Sequence, residues 1–208
     1  TFKFDDNLVM GSLSPLVFDI YSFELCMLMA KASTLVVLPG NLAAFPAKIL
    51  DLLEQHKVNF LFWVPTIMVN IANMDLLSTY KLEHLKTVWF AGEVFPTKQF
   101  NYWHHHLPQV TFANLYGPIE ITLDCTYYIV DKNIPDEQPL PIGIPCRNTD
   151  ILILDGDDKA VKEPYKEGEL CVRGTSLAMG YYNNPEKTAA AFVQNPLNTA
   201  LPEPMYRT

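Results

Sequence analysis

Helix-like and strand-like apolar patterns alternate along the first 135 residues. Residues 19–31 read as a helix with Asp19 as a candidate N-cap. Residues 45–57 are amphipathic, with Ile49, Leu50, Leu52 and Leu53 on or near one face and Pro46 in the first turn. Residues 58–63 (VNFLFW) form a short apolar run of the kind that makes a buried strand. The same alternation predicts a helix over 65–74, a strand over 87–91, a helix over 96–106, and strands over 110–114 and 125–130. Strands and helices in strict alternation imply a mostly parallel sheet covered by helices.

The texture changes after residue 134. The segment 134–145 (IPDEQPLPIGIP) holds four of the sixteen prolines and cannot be regular helix. Beyond it, the run ILIL (151–154), the turn DGDD (155–158) and GELCVRG (168–174) carry hairpin signals. The expected fold class is therefore α/β: a mostly parallel sheet flanked by helices, followed by a smaller β-rich unit, a partial barrel or sheet. The expected division is 1–135 and 136–208.

Charge and composition narrow the function classes. A formal net charge of −8 without a Lys/Arg run leaves no footprint for nucleic acid and disfavours an anionic membrane surface. The most apolar stretch, 25–38, is broken by Lys31 and is too short to span a bilayer. Cys26, Cys125, Cys146 and Cys171 form no CxxC pair and no zinc spacing, and three lie in apolar runs. They read as buried free thiols, which suits a reducing cytoplasm. No signal peptide opens the chain. It starts at Thr1 in a strand-like run and stops at Tyr206-Arg207-Thr208 without a polar tail, so a piece of a longer protein is expected.

The chemistry concentrates in Asn114-Leu115-Tyr116-Gly117-Pro118-Ile119-Glu120-Ile121-Thr122, which follows a strand. Gly117-Pro118 forces a turn whose backbone N–H groups suit an anion. Tyr116 offers a flat face for a base, and Glu120 a hard oxygen for Mg²⁺; the plainer alternative is a tight turn with a surface acid. A second run, GELCVRG (168–174) followed by MGYYNNPEKT (179–188), reads as a strand, a glycine-rich bend and a helix start. His104, His105 and His106 point about 100° apart on a helix and cannot converge on one ion, which makes them a surface feature.

NLYGPIE, GELCVRGTSLAMGYYNNPEKTAAAF and YRT, in this order and spacing, resemble the adenylation domains of nonribosomal peptide synthetases, within the acyl-CoA synthetase and luciferase superfamily. FDIYSFE (18–24) resembles their substrate-pocket motif, and WFAGE (89–93) the strand between pocket and adenine. AGEVFP is also similar to D-alanine–carrier-protein ligases. The resemblance implies ATP, AMP and Mg²⁺ as cofactors and an adenylate-forming ligase. It implies that Asn114 bonds the adenine amino group, Tyr116 stacks on the base, and Gly92, Glu93 and Gly117 help form the nucleotide site. Glu120 would act as the catalytic metal ligand. Asp19 would pair with the substrate α-ammonium, unless it serves as the helix cap or does both. The pocket wall would be Ile20, Phe23, Phe62, Trp89, Ala91, Leu115, Leu123 and Asp124, some of which are equally readable as core. Three large aromatic rings favour a small amino-acid side chain. Partners would be a carrier-protein domain with its phosphopantetheine thiol and neighbouring synthetase domains.

The pattern is broken at Ile119, where the family usually carries a Thr that donates to the α-phosphate. Loss of that bond costs ~1–3 kcal/mol. The family's glycine-rich phosphate loop, ribose-gripping Asp and catalytic Lys have no counterparts within 1–208, so this stretch by itself is expected to be inactive. The alternatives are a free-standing ligase, D-alanine–carrier-protein ligase-like or acyl-CoA synthetase-like, and a degenerate non-catalytic binding domain.

Overall fold

A computed structural model describes Phe2, Phe4 and residues 6–208. The strand expected at Thr1 falls outside the described residues. Two compact units emerge: residues 1–116 with 127–143, and residues 117–126 with 144–208. The sequence suggested one crossing near 135; the contacts instead assign the short stretch 117–126 to the second unit.

In the first unit, β1 (Val9–Ser12), α1 (Asp19–Lys31), β2 (Thr34–Val37), α2 (Pro46–Gln55), β3 (Phe60–Trp63), α3 (Pro65–Asn73), β4 (Thr87–Phe90), α4 (Thr97–His106), β5 (Thr111–Tyr116) and β6 (Thr126–Val130) follow in order. The strands lie in the order β2-β1-β3-β4-β5-β6. β1 pairs in parallel with β2 and β3, β3 with β4, and β4 with β5. All four residues of β3 are buried, as expected of a central parallel strand covered on both faces. The four βαβ crossovers do not all run the same way. The step from β1 to β2 goes one way along the sheet, and those from β2 onward go the other. Right-handed crossovers of opposite direction put their helices on opposite faces. Phe23 of α1 accordingly meets Phe60 and Phe62, while Phe100 of α4 meets Phe90 and Phe112.

Several elements follow directly from local chemistry. Pro46 and Pro65 occupy the first helical positions of α2 and α3, where the missing N–H costs nothing. α2 buries Ile49, Leu50 and Leu53 against a core that includes Leu61, Trp63, Phe90, Phe100 and Trp103. The N-cap of α1 is Phe18 rather than Asp19, and Phe18 makes no side-chain cap bond. Asp19 is instead the first helical residue, where its charge faces the positive end of the helix dipole.

The second unit holds β7 (Ile144–Pro145), β8 (Thr149–Leu154), β9 (Glu169–Gly174), α5 (Pro185–Ala191), β10 (Phe192–Gln194) and β11 (Pro204–Arg207). Its sheet runs β10-β11-β9-β8 with antiparallel pairing throughout. Leu154, Cys171 and Met205 form its small core. The expected hairpin is present as the antiparallel β8–β9 pair, but the connection is longer than a tight turn. Asp155 Oδ1 accepts the N–H groups of Asp157 and Lys159, and the chain folds back so that Leu154 bridges Ala160 before reaching β9. Arg207 ties this region together by pairing with Glu169 and Asp158. All four cysteines are free; Cys125 and Cys171 are buried, Cys146 is half-buried, and Cys26 is exposed, against the expectation for its apolar run. Among the described residues, no helix is long and apolar enough to cross a membrane.

Candidate functional site

Strand order reverses at β1, which leaves a crevice at the carboxyl ends of β1 and β3. Open α/β sheets bind ligands at such a switch point. A cavity of about 520 Å³ lies there. It is lined by the loop after β1 (Leu13, Ser14, Pro15), by Trp63 and Val64 at the end of β3, by Ile67 of α3, and by Gly40 and Ala43. Four residues singled out from sequence also line it: Asp19, Ile20, Gly92 and Glu93.

Each of these four is positioned by its neighbours. Ile20 is buried beneath α1, and half-buried Asp19 precedes it at the helix start. Gly92 follows β4 with φ of +86°, a left-handed conformation that strains any L side chain. Glu93 turns back onto α3, where its Oε2 accepts the Thr66 backbone N–H at 2.9 Å and the Thr66 hydroxyl at 2.5 Å. Glu93 therefore latches the β4 loop to the start of α3 and fixes the floor of the crevice.

The other expected wall residues gather elsewhere in the first unit. Buried Phe62 and Trp89 form an aromatic cluster with half-buried Phe23, with Trp89 5.3 Å from Phe23 and 5.7 Å from Phe62. Phe62 and Trp89 are cross-strand partners. Phe4 packs 5.3 Å and Phe2 4.3 Å from Trp89, so the cluster is already crowded. Trp89 Nε1 is buried without a hydrogen-bond partner among the described residues. Ala91 and Leu115 are each 5% exposed. None of these five lines the cavity. Phe62 and Trp63 point to opposite faces of β3, and only Trp63 faces the crevice.

Tyr116 ends β5 at the carboxyl edge of the same sheet and is half-exposed. Asn114, two residues earlier, donates from Nδ2 to the Pro141 carbonyl at 2.8 Å. That bond fixes which end of the amide is which and makes Oδ1 the acceptor end, the polarity an exocyclic amine requires.

The second unit carries Gly117, Glu120, Leu123 and Asp124. A Cβ on Gly117 would lie against the Leu123 carbonyl and 2.5 Å from Asp124 Cα, so only glycine fits. Thr122 and Leu123 both have positive φ, at 57° and 65°. Two consecutive non-glycine residues in that region store backbone strain, which proteins concentrate at functional sites. Half-exposed Glu120 lies in a short 3₁₀ turn, Ile119–Ile121. Its Oε1 accepts the Tyr181 hydroxyl at 2.5 Å, which holds that phenol protonated well above its ordinary range. Among the described residues, no three His, Cys, Asp or Glu side chains cluster to hold a metal. One accessible carboxylate is nevertheless the donor set Mg²⁺ uses when phosphates and waters complete its octahedron. The residues fit that ion.

Sequence reasoning missed some partners. Glu24, four residues after Ile20 on the buried face of α1, is 1% exposed and accepts the Ser12 hydroxyl at 2.5 Å. Burial pushes its carboxyl up to about 7. A lone acid within FELCMLMA was the available signal. Thr66 and Tyr181 had no comparable signal. The histidines are less superficial than expected: half-buried His104 stacks on Phe100 and half-buried His106 against Tyr102.

Comparison with known proteins joins these observations. The AMP-binding enzyme family matches residues 1–182. Gramicidin S synthase 1 of Brevibacillus brevis is 31% identical over 199 residues, covering 95% of this chain and 17% of its own length. Zwittermicin A synthase ZmaJ of Bacillus cereus is 30% identical over 193 residues, covering 90% and 37%. The AMPPNP-bound nonribosomal peptide synthetase FmoA3 superposes with a TM-score of 0.87 at 26% identity, covering 98% of this chain and 22% of its own. The chain thus spans well under half of these proteins. Over the part it spans, it belongs to the AMP-binding enzyme family.

Proposed function

We propose that the protein containing this chain activates an amino acid as its aminoacyl-adenylate and hands it to a carrier-domain phosphopantetheine thiol in nonribosomal peptide synthesis. In the first step the carboxylate attacks the α-phosphate of ATP and pyrophosphate leaves. Catalysis then rests on positioning and on offsetting charge. The observation that carries this reading is Asp19 in the wall of the switch-point crevice, beside Gly92 and Glu93. A carboxylate there gives an α-ammonium a charge-assisted partner. A fatty acid has none to offer, which disfavours an acyl-CoA synthetase-like role.

In the first unit, Asn114 and Tyr116 would receive the adenine; in the second, Glu120 would supply an oxygen to Mg²⁺, which neutralises the phosphates when bound. Gly117 would let backbone N–H groups approach the anion. Ile20 would supply the apolar wall beside Asp19.

The test is pyrophosphate exchange on the full-length protein across an amino-acid panel, with ATP binding measured in parallel. Asp19→Ala should reduce exchange at least ~100-fold, the scale of a lost charge-assisted contact, while ATP affinity stays unchanged. Exchange that survives in Asp19→Ala refutes the assignment.

A further inference from the structure

We propose that Tyr181 is a positioning residue for Glu120, aiming its carboxylate at the metal; this rests on the reading of Glu120 as an Mg²⁺ ligand. The segment 178–181 holds Glu120 at both ends. The Ala178 N–H donates to the Glu120 carbonyl at 2.8 Å, and the Tyr181 hydroxyl donates to Oε1 at 2.5 Å. The backbone of a strained turn and the tip of its side chain are thus fixed by one short stretch of chain.

That stretch is itself built to hold shape. Gly180 has φ of +136°, and a Cβ there would collide with the Thr188 side chain. Thr188 occupies the space to accept the Tyr181 N–H at 2.9 Å while its hydroxyl donates to the Asn184 carbonyl at 2.8 Å. The Tyr181 ring lies 4.7 Å beneath the Lys187 ammonium and 5.7 Å from Phe192. Asn184 caps α5 by accepting the Lys187 N–H at 3.0 Å. MGYYNNPEKT (179–188), which the sequence suggested only shapes the core, is therefore a bracket that ends in one phenolic donor.

The chemistry gives the bracket a purpose. A lone carboxylate on a flexible side chain costs rotamer entropy when it meets an ion that demands near-ideal octahedral geometry. Partners that hydrogen-bond a ligating carboxylate remove that cost, and their loss lowers metal affinity or activity about 10–100-fold. Tyr181 engages Oε1, so Oε2 would be the oxygen left for the ion.

The experiment uses the full-length protein. ATP binding is measured by calorimetry over a range of Mg²⁺ concentrations and in EDTA, with melting temperature in EDTA as a control. Tyr181→Phe keeps the ring contacts and removes the hydroxyl, which meets both Glu120 and Tyr206. It should raise the Mg²⁺ concentration for half-maximal ATP binding about tenfold, leaving metal-free ATP binding and melting unchanged. In a Glu120→Gln background it should add nothing further. If Glu120→Gln shifts the Mg²⁺ dependence but Tyr181→Phe does not, Tyr181 has no positioning role. Weakening of ATP binding by Tyr181→Phe equally with and without Mg²⁺, or a change in melting alone, also overturns it. If Glu120→Gln leaves the Mg²⁺ dependence intact, the reading of Glu120 fails and the proposal falls with it.

Discussion

Replacing Glu24 by Gln should remove a pH dependence that burial imposes on the fold. Glu24 lies on the inner face of α1 with the Ser12 hydroxyl as its partner, and desolvation raises its carboxyl from 4.5 to about 7 against the opposing pull of that hydrogen bond. In the unfolded chain it titrates near 4.5, so the two states bind protons differently between 4.5 and about 7. Below 4.5 the group is protonated in both states and costs nothing. As pH rises, the unfolded state ionises first, and stability is lost until the folded carboxyl also ionises near 7. At about 1.4 kcal/mol per pH unit, the loss amounts to about 3 kcal/mol. Gln keeps the shape and an acceptor for Ser12 but cannot ionise. Urea unfolding at pH 4.5, 6 and 8, followed by fluorescence of buried Trp63 and Trp103, measures both proteins. The Gln variant should gain about 3 kcal/mol relative to the parent between the lowest and highest pH. A difference between the two proteins that stays constant across the three pH values refutes the burial argument.

Gly117→Ala sets a Cβ against the Leu123 and Asp124 backbone, which cannot rotate away, and should destabilise by ~1–3 kcal/mol in thermal melts. Gly156→Ala, with none of the described residues within 4 Å of its Cβ, is the matched control and should stay within about 0.5 kcal/mol of the parent; equal effects at the two sites would dismiss the crowding at Gly117. For the cysteines, burial beside Asp124 pushes Cys125 up to about 12 and Cys146 to about 11, so neither forms thiolate at pH 8. Iodoacetamide at pH 8 should label exposed Cys26 first, by peptide mass mapping, and preferential labelling of Cys125 would contradict the burial.

What the sequence disclosed follows from which forces act locally. The helices and central strands of the first unit were legible because apolar periodicity and N1 prolines mark them residue by residue: α1 starts and ends where the pattern does, and β3 falls inside its apolar run. β10 and β11 escaped notice because FVQ and PMYR are short strands of a small sheet, defined by pairing with each other and of β11 with β9 rather than by their own pattern. For the site, Asp19, Ile20, Gly92 and Glu93 were found together, since each follows directly on a strand end or helix start. The aromatic wall could not be sorted from sequence. Phe62 and Trp63 are adjacent in the chain, and only pairing with β4 decides that Trp63 faces the crevice while Phe62 joins the cluster around Trp89. The role of Glu93 as a latch on Thr66 depends on a contact 27 residues away, which no local pattern encodes.

Ile119 bears on whether this site is built for catalysis or has decayed into a binding shell. A decayed site should show its broken position absorbed by packing. Ile119 is instead 66% exposed, and the turn around it keeps its own backbone bonds from Ile121 to Pro118 and from Thr122 to Ile119. The neighbouring carboxylate owes its orientation to Tyr181 and its carbonyl contact to Ala178, neither of which depends on the residue at 119. The substitution is therefore local: it removes one side-chain donor, worth ~1–3 kcal/mol, and leaves the strain at Thr122 and Leu123, the glycine at 117 and the Glu120 bracket in place. Selection that no longer required the turn would have no reason to retain a glycine wedged against backbone and two left-handed residues in succession, each of which lowers stability. Under the proposed function, their joint presence fits a turn with one weakened contact better than a relic.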